Sequence, residues 1–87
     1  MIAYFVNGPK VDTIVIPEAN LAVEVNRQTL MAFLGDSPDF AGWSGQALGD
    51  RAPAAFGRVI AQREDENAPT ILDQTTWNQR VFQHLRR

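Results

Sequence analysis

The sequence predicts an α+β fold, a three-stranded antiparallel meander followed by three or four short helices. Three observations carry that expectation. Residues 2–6 and 12–16 are dense in aromatic and β-branched side chains, the types that suit a pleated, half-buried surface. Residues 21–26 alternate, with Leu21, Val23 and Val25 on one side and Ala22, Glu24 and Asn26 on the other, the period-two mark of a strand. Beyond Asn26 the apolar spacing becomes helical and is punctuated by capping residues.

The first two strands are joined by Asn7-Gly8-Pro9-Lys10. Asn-Gly ordinarily forms a two-residue hairpin turn, but Pro9 has no N–H to donate back across it. A four- or five-residue loop is expected instead, with Pro9-Lys10 at its centre and Gly8 free to take positive φ. Pro17 then suits the second position of a turn over residues 17–20. Residues 18–34 admit two readings. One is a strand followed by a helix on Arg27–Leu34 capped by Asn26 and closed by Gly35. The other is a single long helix, since Ala, Glu and Leu favour that state.

Ser37 and Pro38 look like the cap and first residue of another helix, with Phe40, Trp43 and Ala47 turned to the core. Gly42, Gly45 and Gly49 make it the weakest helix of the set. Residues 50–63 read as a further helix: Asp50 caps it, Pro53 lies in its first turn, and Ala52, Ala55, Phe56, Val59 and Ile60 form one stripe, with Gly57 permitting a close contact. The acidic break at residues 64–69 ends it. In the last helix Asp73 is the cap and Trp77, Val81 and Leu85 recur every fourth residue. Arg80, His84, Arg86 and Arg87 sit where cations complement the helix dipole.

Composition bounds the function. Eighty-seven residues, 45% apolar and 21% charged, make one small globular domain with little volume to spare for a deep substrate pocket. Without cysteine there is neither disulfide framework nor thiolate nucleophile. The opening residues lack the basic n-region of a secretory signal, and no apolar run reaches the ~20 residues that span a bilayer. A cytoplasmic protein with no membrane association is expected. The net charge of −2 is uneven. Residues 1–50 carry Lys10 and Arg27 against six acids, and residues 51–87 carry six arginines against four acids. The imbalance suits a protein partner better than nucleic acid.

Motifs for chemistry fail on inspection. Gly-Trp-Ser-Gly-Gln at residues 42–46 places its second glycine one position early for a nucleophile elbow. His84 has no local serine or acid; Ser37 or Ser44, with Asp39 or Asp50, would have to be brought to it by the fold. Glu64-Asp65-Glu66 lacks the alternating ligands and central glycine of a calcium loop. The three glycines from Gly42 to Gly49 match no phosphate-binding fingerprint. A helix-turn-helix laid over residues 29–48 has no cation on its recognition helix. The sequence therefore assigns no catalytic residue, metal ligand or cofactor. The stripe Arg80, His84, Arg87 is the one nucleic-acid candidate, and two or three cations support only weak contact.

Apolar residues occupy both faces of the first two strands: Ile2, Tyr4 and Val6 against Ala3 and Phe5, and Ile14 and Ile16 against Val15. Either helices wrap both faces or another chain, a second copy included, covers one. Tyr4, Phe5, Trp43, Arg80, His84 and Arg87 are the candidate partner contacts, because aromatic and arginine side chains dominate interface energy.

The stretch YFVNGPKVDTIVIPEA resembles the start of short phage-encoded accessory proteins of unknown function. These open on a strand, a Gly-Gly-Pro-type turn and a second strand ending in Pro-acid, matched here by Asn7-Gly8-Pro9 and Pro17-Glu18. Lys10-Val11 stand where that pattern usually has Asp-Gly. The resemblance implies a non-catalytic binding protein that inhibits or redirects a host protein. A self-associating virion component and a weak nucleic-acid binder are the alternatives.

Overall fold

The computed structural model describes residues 1–36, 38–65 and 68–85. Six strands form one antiparallel sheet in the order β4-β3-β2-β1-β5-β6. They are β1 (Ile2–Asn7), β2 (Asp12–Ile16), β3 (Leu21–Glu24), β4 (Gln46–Ala47), β5 (Arg58–Glu64) and β6 (Thr70–Ile71). Two α-helices, α1 (Arg27–Leu34) and α2 (Gln74–Leu85), accompany it. The α+β class and the β1–β2–β3 meander are as expected. The sheet is twice as wide, and the α-helices are fewer, than the sequence suggested.

The β1–β2 hairpin ends at the pair Asn7–Asp12, so its loop is the expected four residues, 8–11. Gly8 does not use positive φ, which among glycines is confined to Gly49 and Gly57. It is needed for proximity instead: a Cβ there would collide with the Val11 carbonyl oxygen. The ambiguity over residues 18–34 resolves as strand plus helix. Pro17–Ala19 make a single 3-10 turn that Asn20 closes in the left-handed region at φ 52°. Asn26 then starts α1 with a reciprocal capping box, its Oδ1 accepting from the Thr29 N–H at 2.9 Å while Thr29 Oγ1 accepts from the Asn26 N–H at 2.9 Å. Gly35 stands at the helix end but in an extended conformation, φ −69°. Buried Arg63 of β5 donates to the Phe33 carbonyl at 3.0 Å, supplying the cation that the C-terminal end of a helix dipole favours.

Two expected helices are absent. Residues 38–49 form turns and β4, consistent with their three glycines, and Asp39 accepts from the Ala41 N–H at 3.1 Å in a local turn. Ser37, expected as a cap, lies outside the described residues. Residues 50–63 are a 3-10 turn (Pro53–Phe56) followed by β5. Gly57 separates the two at φ 145°, a conformation closed to side-chain-bearing residues, and a Cβ there would strike the Asn7 carbonyl oxygen. Of the residues read as a helical stripe, only Val59 and Ile60 lie on β5, and they face opposite sides of the sheet. A bulge opposite Phe5/Val6 adds Ile60 as an extra residue, so Ile60 and Ala61 both face the helices.

The sheet carries a core on each face. On the helix face Ala3, Phe5, Ile14, Ile16, Ile60 and Ala61 pack with Leu30 and Phe33 of α1 and Trp77 and Val81 of α2. The Phe5 ring meets Phe33 and Trp77 edge-on, with centroids 6.0 and 5.5 Å apart, a favoured arrangement. On the far face Val6, Val15, Ala22 and Leu48 form a second buried cluster, flanked by Tyr4, Phe56 and Val59. This face is covered by the chain itself. Strand order requires residues 48–57 to pass from the β3 edge to β5, and the passage carries Leu48 and Phe56 onto it. Phe5, Val6, Ile14, Val15 and Ile16 are fully enclosed, which corrects the expectation that the apolar excess of the opening ribbon needs another chain.

At the start of α2, Asp73 accepts from the Thr76 N–H at 3.1 Å and the Thr76 hydroxyl at 2.9 Å, and pairs with Arg58. The Thr76 backbone hydrogen bond leads in holding its carboxyl below the ordinary value of 3.8, helped by the Thr76 hydroxyl and Arg58 and opposed by burial.

Two predictions follow from this architecture. Leu48→Ala should cost about 2–5 kcal/mol in urea unfolding, as truncation of a buried leucine does, while Met31→Ala, half-exposed on α1, should stay within about 0.5 kcal/mol of the parent. A depressed folded-state pKa stabilises above the unfolded value and is lost as pH falls through it. The stability gap between the parent and Asp73→Ala, measured by thermal melts, should therefore be full at neutral pH and close as pH drops below 3.8.

Candidate functional site

Two recesses meet at the hairpin tip. The larger, about 480 Å³, is a groove on the far face with Thr13, Ala22 and Glu24 as its floor and Val11, Gln46 and Phe56 among its walls. Alternation on β2 and β3 puts the floor residues there. Phe56 arrives on the crossing segment, and the Arg51 guanidinium lies 4.8 Å from its ring centroid. Arg51 in turn donates to the Ala47 and Leu48 carbonyls at 3.0 and 3.1 Å, tying the crossing segment to β4. Pairing between β3 and β4 covers Leu21 and Ala22 alone; Gly45 still lies against the buried Val23 backbone, so the strand's edge opens beside the groove at Glu24. The chain enters β4 through Gly45, whose backbone lies so close to Ala22 that a Cβ would collide with the Ala22 carbonyl oxygen. One wall of the groove is consequently main chain.

The smaller recess, about 280 Å³, lies over Asp12 and is bordered by Lys10, Glu24, Arg80, Gln83 and His84. Asp12 shares the inward register of Ile14 and Ile16, and its side chain is 5% exposed. Arg80 Nη1 stands 3.9 Å from Oδ1 and His84 Nε2 3.7 Å from Oδ2, one helical turn apart on α2. Asp12 Oδ1 has no hydrogen-bond donor among the described residues, nor does the buried Oδ1 of Asn7, its cross-strand partner.

The expected contacts are scattered. Phe5 is at the centre of the helix-face core with no exposed surface, which removes it from any interface of the folded chain. Tyr4 is half-buried against the far-face cluster. Trp43 packs edge-on against buried Phe40 at 4.9 Å on the helix side. Arg80 and His84 converge on Asp12, so the basic stripe is partly neutralised from within. Arg87 lies outside the described residues. Ser44 lines the groove and His84 the Asp12 recess, so among the described residues no serine joins the His84–Asp12 pair. Asp12 is the acid that reaches His84, not Asp39 or Asp50. Among the described residues no three metal-ligating side chains gather at one point, and no helix is long and apolar enough to cross a membrane.

Sequence reasoning missed Thr13, Glu24 and Phe56 as site residues, and Asp12 altogether. The alternation that turns Thr13 and Glu24 to one face was readable; the passage of Phe56 over them was not. Compared with protein-family models, curated proteins and solved structures, the chain finds no match.

Proposed function

We propose that this protein is a non-catalytic protein-binding module whose contact surface is the far-face groove, with an extended segment of the partner lying along the open edge of β3. The observation that carries this reading is the combination of a groove walled by Val11 and Phe56 with the exposed end of β3 at Glu24, which β4 leaves unpaired. Adding a strand to such an edge gives main-chain hydrogen bonds, and pockets beside it give specificity. Val11 is 47% exposed at the mouth and offers apolar surface to a partner. The resemblance of the opening hairpin to phage accessory proteins favours a host defence or regulatory protein as that partner, met in the host cytoplasm. The nucleic-acid reading is less favoured, because Arg80 and His84 already face an acid.

Thr13→Arg fills the groove floor opposite Glu24, beside Val6 of the far-face cluster. Tagged parent and variant, both checked for folding by circular dichroism, should be compared in capture from bacterial lysate, with Phe82→Glu on exposed α2 surface as control. A protein retained by the parent and the control but lost by at least about tenfold with Thr13→Arg fits the proposal. Retention of the same proteins by all three, or of none, contradicts it.

A further inference from the structure

Backbone directions along β3 fix which residue would meet a segment lying in the groove. The Ala22 carbonyl points to the outer edge, where Gly45 lies close against it. The Val25 N–H points the other way and donates to the Asp12 carbonyl of β2 at 2.9 Å. Main-chain groups of successive residues alternate sides in an antiparallel strand, so Glu24 turns its N–H and C=O to the outer edge as Ala22 does. The last β3–β4 pair is Ala22–Gln46, and Glu24 lies past it.

Glu24 stands opposite Thr13 of β2, which places its side chain on the far face, over the groove. Among the described residues that line the groove, Glu24 alone carries a charge. It is exposed, and no ion pair joins it to a cation of the described residues. Arg51 stands against Phe56 but outside the lining, its donors taken by the Ala47 and Leu48 carbonyls. Lys10 borders the Asp12 recess instead. On the floor Thr13 and Ala22 are short, which leaves room for a long side chain. A residue paired with Glu24 across the edge would share its face, where an opposite charge attracts and a like charge repels. Lysine and arginine also lay their stems on apolar surface while the charged head stays outside.

We propose, resting on the groove reading, that the segment received there is basic: an arginine or lysine pairs with Glu24 at the edge of β3, its stem against Val11 and Phe56 and its cation on the Glu24 carboxylate.

The probes are three peptides Thr-Val-X-Val-Thr, acetylated and amidated so that their ends are uncharged, with X as arginine, glutamine or glutamate. Each is titrated into the isotope-labelled protein and followed by amide NMR shifts. The expected result is saturable shifts at Thr13, Ala22 and Glu24 with the arginine peptide, about fivefold tighter than with the glutamine peptide, the glutamate peptide being weakest. That advantage should shrink between about 50 and about 500 mM salt. Glu24→Gln, an exposed change, should bring the three affinities together, and Glu24→Lys should reverse their order. Equal binding of the three peptides in the parent's groove overturns the basic segment while leaving the groove itself standing. An arginine preference unaltered in a folded Glu24→Gln variant does the same. No saturable shift at these amides with any peptide overturns the groove and the basic segment together.

Discussion

The passage of residues 48–57 across the sheet is the constraint on which the rest of the molecule depends. β4 lies at the outer edge beside β3, and β5 lies beside β1, so the chain has to cross β3, β2 and β1 between them. By crossing on the face opposite the helices it supplies Leu48 and Phe56 as a cover for Val6, Val15 and Ala22. A ribbon apolar on both sides becomes admissible in so short a chain because helices hide one face and a loop hides the other. The turn back into β5 is tight, and it fixes two glycines. Gly57 takes φ 145° against the Asn7 carbonyl, and Gly8 lies within reach of the Phe56 carbonyl.

The same crossing produces the candidate site. The segment covers Val6, Val15 and Ala22 and leaves the hairpin-tip end of β2 and β3 open, where Thr13, Ala22 and Glu24 floor the groove. Short β4 and β6 are common devices for blunting sheet edges, and β4 blunts only half of β3. The apolar surface the sequence displays is therefore mostly consumed inside the chain. What remains outside is a bounded strip beside Phe56 and Val11.

Local chemistry was legible in the residues and distant pairing was not. Asn26 and Asp73 were readable as caps because a cap acts within four residues of itself, and Pro9 was readable as an obstacle to the tight turn for the same reason. The Trp77, Val81 and Leu85 stripe of α2 likewise follows from spacing alone. Residues 50–63 misled because their apolar spacing is that of a helical face, although the chain turns at Gly57 and only Val59 and Ile60 of the stripe enter β5. The decision came from β1, which lies at the other end of the chain and pairs along the whole of β5. Asp12 was passed over for a related reason: its partners Arg80 and His84 reach it only once α2 is laid across the hairpin. Phe5 was taken for an interface residue because its burial depends on the same docking of α1 and α2.

If the chain covers its own sheet on both faces, its folding needs no second copy. The most direct test is equilibrium urea unfolding across about a hundredfold range of protein concentration, since association that completes a fold makes stability concentration-dependent. The account predicts one midpoint at every concentration. A midpoint that climbs with concentration would show that the far face is finished by another molecule, contradicting the covering role given to Leu48 and Phe56.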